Sequence, residues 1–154
     1  MPLIQTMNRQ FTKMILKGNT MFKEGRMEGA CDLELTYEAS KLKNPSFKSI
    51  KSYVGNTLDG VFHGQGLLVF TNGDQYNGEF KFGRKEGEGV YTSKELGDEY
   101  HATWFEDLLN GQCQIKLDSD PEKTLVSFGD FTRGYNPRLL DIKQKEILKS
   151  YLSD

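Results

Sequence analysis

Apolar and polar residues alternate over the middle of this chain. In Tyr76-Asn77-Gly78-Glu79-Phe80, the residues Tyr76, Gly78 and Phe80 share one face, and Asn77 and Glu79 share the other. A period of two predicts a β-strand. Leu67-Leu68-Val69-Phe70 predicts another, being rich in strand formers. Between them stands Thr71-Asn72-Gly73-Asp74, where Asn-Gly predicts a type I′ hairpin turn with two residues at positive φ. The tetrads Gly60 to Gly64 and Gly83 to Gly87 supply the opposite reversal, since glycine takes conformations that a Cβ forbids. Each segment therefore reads strand, turn, strand, turn.

The pattern repeats. Tyr53, Gly55, Leu58, Gly60, Gly64, Gly66 and Gly73 recur as Tyr76, Gly78, Phe80, Gly83, Gly87, Gly89 and Gly97, with the two units starting 23 residues apart. A third unit starts 24 residues later with Tyr100, Ala102, Trp104, Asp107, Gly111 and Cys113. A half unit follows at Gly129, Phe131 and Gly134, and a degenerate unit precedes at Phe22, Gly25, Gly29 and Cys31. Periods of this length mark stacked supersecondary units, here hairpins joined into one antiparallel sheet. Both cysteines fall on the second glycine of Gly-x-Gly, which makes them small buried residues at a close approach. Two cysteines build no disulfide framework, and no suitably spaced histidine completes a zinc site.

Tyr-x-Gly-x-(aromatic)-x-x-Gly-x-x-x-Gly-x-Gly at this period resembles the MORN repeat (membrane occupation and recognition nexus). Residues 53–99 carry the regular units, and residues 18–52 and 100–134 the degenerate ones. The resemblance implies a mainly β fold, an elongated single-layer antiparallel sheet of stacked hairpins without a catalytic centre of its own. It also implies a role in protein interaction or membrane apposition. Small size and Gly134-Tyr135-Asn136-Pro137 resemble the short flagellar MORN type, which implies a cilium or flagellum as the setting.

Outside the repeats, residues 1–17 predict a capping segment, read as a strand over the first hairpin. Residues 38–52 read as a basic inserted loop with Pro45 and several serines. At the C-terminal end, residues 135–154, the period changes. Asn136 is a good N-cap and Pro137 a good first helical residue, and Leu140, Ile147, Leu148 and Tyr151 share one face. That predicts an amphipathic helix over 137–152, docked on the end of the sheet or projecting toward a partner.

Composition narrows the function. The chain has 154 residues with 20 basic and 22 acidic side chains, a balance that argues against a general nucleic-acid binder. Met1-Pro2-Leu3-Ile4-Gln5-Thr6 has no apolar signal core, which predicts an intracellular, cytoplasmic chain. His63 falls in a variable turn position, and His101 faces outward beside Tyr100, with no nucleophile placed by motif to use either. Asp118 and Asp120 lack the glycine and distal glutamate of a calcium loop. Gly64-Gln65-Gly66 and Gly87-Glu88-Gly89 precede no helix, so they are not a dinucleotide fingerprint. These readings predict neither enzyme, metal nor cofactor.

Two surfaces remain. Tyr76, Phe80, Tyr91, Tyr100 and Trp104 share one face, beside the repeat glycines Gly55, Gly60, Gly64, Gly66, Gly73, Gly78, Gly83, Gly87 and Gly89. The rings are either an exposed protein-interaction stripe or a thin stacked core. Lys41, Lys43, Lys48 and Lys51, interleaved with Leu42, Phe47 and Ile50, form the candidate contact to an anionic membrane. The favoured function is a non-catalytic scaffold or adaptor for protein partners, itself included; the alternative is a peripheral membrane or phosphoinositide module acting through residues 38–52.

Overall fold

The computed structural model describes residues 11–37, 50–120, 122 and 125–135. The strands are β1 (Phe11–Leu16), β2 (Phe22–Lys23), β3 (Arg26–Met27), β4 (Gly29–Tyr37), β5 (Ile50–Leu58) and β6 (Val61–Phe70). They continue with β7 (Gln75–Lys81), β8 (Arg84–Thr92), β9 (Glu99–Phe105), β10 (Leu108–Lys116) and β11 (Leu125–Tyr135). Nine of them form one sheet in the order β1-β4-β5-β6-β7-β8-β9-β10-β11, while β2 and β3 make a small hairpin of their own. Every pairing is antiparallel. Residues 50–52, read from sequence as the end of the inserted loop, belong to β5. Among the described residues there is no helix; the predicted helix over 137–152 and the lysines 41, 43 and 48 lie outside them.

Two cross-strand rows organise the buried face. One is made of the smallest residues: Cys31, Gly55, Gly66, Gly78, Gly89, Ala102 and Cys113 are partners in succession from β4 to β10. The neighbouring row is large: Leu33, Tyr53, Leu68, Tyr76, Tyr91, Tyr100 and Ile115. All seven of these are buried. The Tyr53 and Tyr76 rings lie over the small row, and their hydroxyls donate to the carbonyls of Asn56 (2.6 Å) and Glu79 (2.8 Å). A Cβ at Gly66 or Gly89 would overlap the ring and hydroxyl of Tyr53 or Tyr76. The glycines thus serve as the floor on which the rings rest. Cys31 and Cys113 replace glycine at the two ends of this row, and burial pushes their thiols up to about 11 and about 12.

The turns alternate between two designs. Glu24-Gly25, Asp59-Gly60, Phe82-Gly83 and Glu106-Asp107 each place two residues at positive φ, the type I′ signature. Asn72-Gly73, which the sequence predicts to be such a turn, is not one. Gly73 has φ 92°, but Asn72 is not left-handed. Phe70 donates to the Asp74 carbonyl and Gly73 donates to the Phe70 carbonyl, both at 2.9 Å, which closes a three-residue loop around a type I turn. The Asn72 side chain accepts the Asp74 N–H at 2.9 Å, an Asx turn that competes with the left-handed geometry at Asn72 itself. The second glycine of each tetrad, which the sequence assigns to the reversal, sits instead inside a strand. Register slips by two residues between Gly55 and Thr57 and again between Gly78 and Phe80, so Gly64 and Gly87, at φ 87° and 81°, are bulge residues. They oppose Phe80 and Trp104 on the next strand, and the space a Cβ would take is approached by the side chains of Asn56 and Glu79 on the preceding strand. The aligned position in the first unit is Thr57, opposite Gly29, not Leu58.

Successive hairpins are hydrogen-bonded to one another through their turns. At the type I′ end, the N–H groups of Gly60, Gly83 and Asp107 donate to the carbonyls of Met27, Phe62 and Lys85 in the preceding hairpin, at 2.9, 2.8 and 3.1 Å. At the other end, the carboxylates of Asp74 and Asp98 accept the N–H groups of Lys94 and Asp118, both at 3.0 Å. Both aspartates are buried, and Asp74 also accepts the Tyr91 hydroxyl at 2.5 Å.

The small row makes a sharp stability prediction. Gly89→Ala drives a methyl into the Tyr76 ring and should cost roughly 1–3 kcal/mol through overpacking. Gly78→Ala meets the facing backbone of Gly89 and Glu88 and should cost at least as much. Urea melts of the two variants and the parent check both; a neutral Gly89→Ala would contradict the packing described.

Candidate functional site: the aromatic stripe and the hairpin tips

The five rings singled out from sequence do meet on one face. Tyr76 stands edge-on to Phe80 (5.1 Å between centroids) and to Trp104 (5.4 Å). Tyr91 contacts both Tyr100 (6.5 Å) and Trp104 (6.3 Å). Phe62 joins them, stacked on Tyr53 at 3.8 Å and edge-on to Phe80. The Trp104 indole donates to the Gly89 carbonyl at 3.2 Å. All five are buried, so the stripe is packed core and does not offer an exposed patch. Tyrosine hydroxyls inside it are held protonated: burial raises the pKa of Tyr53, Tyr76 and Tyr91.

One cation lies inside this core, unforeseen from the sequence. Lys85 occupies the position two residues past the second turn residue, which Met27, Phe62 and Leu109 fill in the other hairpins. Its ammonium is 5.6 Å from the ring centres of Phe70 and Tyr76 and 5.8 Å from that of Trp104. Asp107 lies 3.7 Å from it and also accepts the Lys85 backbone N–H at 2.8 Å. Burial lowers the Lys85 pKa, and Asp107 pulls it partly back. Phase with the repeat was the available signal; a lysine between Arg84 and Glu86 looks solvent-facing only when phase is ignored.

The exposed features gather at the type I′ tips. Arg26 reaches Asp59 of the next tip at 2.6 Å, and Arg84 reaches Glu106 of the next at 3.9 Å. Between these pairs Phe82 projects from its tip, 63% exposed. His63 accepts the Phe82 N–H at 3.2 Å and its ring lies 4.9 Å from the Phe82 ring. The second histidine, His101, is bonded to Glu99 at 3.0 Å, so the two serve separate local contacts. No group of three His, Cys, Asp or Glu suited to a metal occurs among the described residues. Of the four lysines proposed for membrane contact, Lys51 is described and is exposed on β5.

Lys85 gives a test of how this core is balanced. Lys85→Met should leave stability unchanged or raise it by up to about 2 kcal/mol at neutral pH, because an apolar residue replaces a desolvated charge. With its folded pKa lowered, the lysine holds its proton less tightly folded than unfolded. The parent therefore gains relative stability as pH rises toward the ordinary lysine value of 10.5, and loses it as pH falls. The buried tyrosines and cysteines act alike in both proteins, so the gap between variant and parent should narrow from pH 7 upward. Thermal melts across that range check it; a variant less stable by more than about 1 kcal/mol would mean that the cation–ring contacts outweigh desolvation.

Comparison with known proteins agrees with this geometry. The MORN repeat model matches residues 53–75 and 76–95, so that its units begin at Tyr53 and Tyr76. Over 70 residues the chain is 36% identical to the inactive protein tyrosine kinase pTKL of Plasmodium berghei (strain Anka), an alignment covering 44% of this chain and 5% of that protein. Over 81 residues it is 30% identical to the protein of the same name from Plasmodium falciparum (isolate 3D7), covering 52% of this chain and 5% of that one. The match thus spans a small fraction of the curated relatives' length. With tyrosines, glycines and bulges that the structure accounts for one by one, residues 53–95 of this chain are two consecutive MORN repeats.

Proposed function

We propose that the chain is a non-catalytic scaffold or adaptor that binds a protein partner on the face of the sheet opposite the aromatic stripe. MORN repeats mediate interaction with proteins or with membrane lipid, and the registered outer face supports the first of these. One row there runs Asp32, Val54, Leu67, Asn77, Val90, His101 and Gln114, one residue from each strand β4 to β10. Val54 is 46% exposed, and Leu67 and Val90 are half-buried among polar neighbours. That mixture of aliphatic and polar side chains is the usual composition of a protein interface. Hydrogen bonds at both hairpin ends fix the spacing of the row, so little ordering cost is added on binding. The setting proposed is intracellular, in a cilium or flagellum, on the resemblance to the short flagellar type alone.

Proximity labelling in the native cell tests this with Val54→Glu/Val90→Glu beside the parent. The double variant should keep its melt, because its changes face outward, and should lose most of the parent's labelled set. An unchanged set would contradict the proposal. Co-sedimentation of the parent with anionic vesicles, abolished by charge reversal at Lys41, Lys43, Lys48 and Lys51, would instead favour the membrane module.

A further inference from the structure

The four type I′ tips are built alike, and their first turn residues have nearly the same conformation: Glu24 at φ 52°, Asp59 at 52°, Phe82 at 48° and Glu106 at 49°. Three are acids. The fourth is a phenylalanine. A left-handed conformation is unfavourable for a side-chain-bearing residue, and bulky residues are rarer there than Asn or Asp. Phe82 is thus strained at the backbone and 63% exposed at the ring. Strain kept at an exposed position is a mark of function. The ring is also held in place, by the Phe82 N–H bond to His63 and by the ring contact with it. A large apolar side chain, pre-positioned and ringed by charges, has the make-up of an interface anchor.

The charges around it say what it meets. Adjacent contacts at successive tips are Arg26 with Asp59 and Arg84 with Glu106, on either side of the hairpins that carry Val61 and Phe82. The exposed side chains along the rim are Glu24 and Arg26 at the first tip, Asp59 at the second, Phe82 and Arg84 at the third and Glu106 at the fourth. The two central tips are charge-antisymmetric, with Asp59 at one and Arg84 at the other. A two-fold axis between them sets Asp59 of each chain opposite Arg84 of the other, and seats each Phe82 ring against the other chain's Asp59 tip near the centre. A surface that is complementary to itself in this way fits an isologous contact. We infer that the type I′ tips form a tip-to-tip dimer contact with a second copy of this chain, anchored by Phe82 and registered by the two Asp59–Arg84 cross-pairs. Hairpins repeat every two strands, roughly 10 Å, so four tips span about 30 Å. A strip of that length buries far less than the roughly 800 Å² per partner of a standard interface. The dimer is accordingly weak and concentration-dependent, and it leaves the outer face of the sheet free. The inference does not rest on the proposed partner-binding role.

Sedimentation equilibrium of the full chain, from low micromolar to near-millimolar concentration, tests it. The weight-average mass should rise toward that of a dimer, and less so at high salt. Phe82→Asn, which suits the left-handed turn, should melt no lower than the parent and remain monomeric throughout. Arg84→Glu and Asp59→Arg should each weaken self-association at least several-fold when alone, since each then faces its own charge. Mixed together they should associate again, because the carboxylate introduced by Arg84→Glu in one variant then faces the guanidinium introduced by Asp59→Arg in the other. A parent that stays monomeric at the highest concentration, an association unaffected by Phe82→Asn, or charge variants that fail to recover on mixing would overturn the inference. Loss of the dimer with partner labelling intact would leave the proposed function standing, and the converse would leave the dimer standing.

Discussion

The architecture depends on a tyrosine ring seated over glycine. Tyr53 and Tyr76 reach across a row that carries no side chains and return their hydroxyls to their own strands, three residues on, at Asn56 and Glu79. Several features follow from this one contact. Glycine must stand on both strands under each ring, hence the pairs Gly55–Gly66 and Gly78–Gly89. The strand then bulges beside each ring, at Gly64 and Gly87 opposite Phe80 and Trp104, with Asn56 and Glu79 against the space a Cβ would take. A buried hydroxyl needs an acceptor, and the backbone carbonyl supplies it at no further cost in sequence. Where the third unit relaxes the rule, Ala102 and Cys113 replace the glycines, and Trp104 stands where Phe80 does in the unit before, against Tyr76 and Tyr91.

Repetition turns that local contact into a rigid array. The second, third and fourth tips each donate one N–H to the hairpin before, and the carboxylates of Asp74 and Asp98 staple successive loops at the opposite end. Stability in such a system is a sum of unit and nearest-neighbour terms. The consequence for function is geometric. With the aromatic face closed, chemistry is left to the outer rows and to the tips, where residues can vary without disturbing the ring-on-glycine contact. Phe82 and the outward-facing valines are such variations.

Much of this was legible in the residues. The spacing of Tyr, Gly and aromatic positions gives the strands, the units and the place of both cysteines, because packing over glycine imposes a fixed phase. The type of each turn was less legible. Asn72-Gly73 carries the strongest type I′ signal in the chain, yet the Asn72 side chain bonds to Asp74 and makes a different loop. The true type I′ turns have acids or Phe82 where asparagine would be expected, so composition concealed them. Buried Asp74 and Asp98 were missed as well, although Gly-Asp-x-Tyr recurs at 73–76 and 97–100 and could have marked them. Burial of the stripe could not be read from alternation, which identifies a shared face but not whether anything closes it. Lys85 shows the same gap between type and position: its phase is that of a core residue, while its charge suggests the surface.

The central claim is that the repeat glycines exist to seat the tyrosines, and a double-mutant cycle on Gly66 and Tyr53 tests it most directly. All three atoms nearest a Cβ at Gly66 belong to the Tyr53 side chain. If the ring is what forbids the methyl, Gly66→Ala should cost much less in a Tyr53→Val background than in the parent. The measured coupling should exceed about 1 kcal/mol, well outside the few tenths expected of independent sites. Additive costs would mean that the glycines answer to the backbone alone, and that the ring-on-glycine contact does not set the fold.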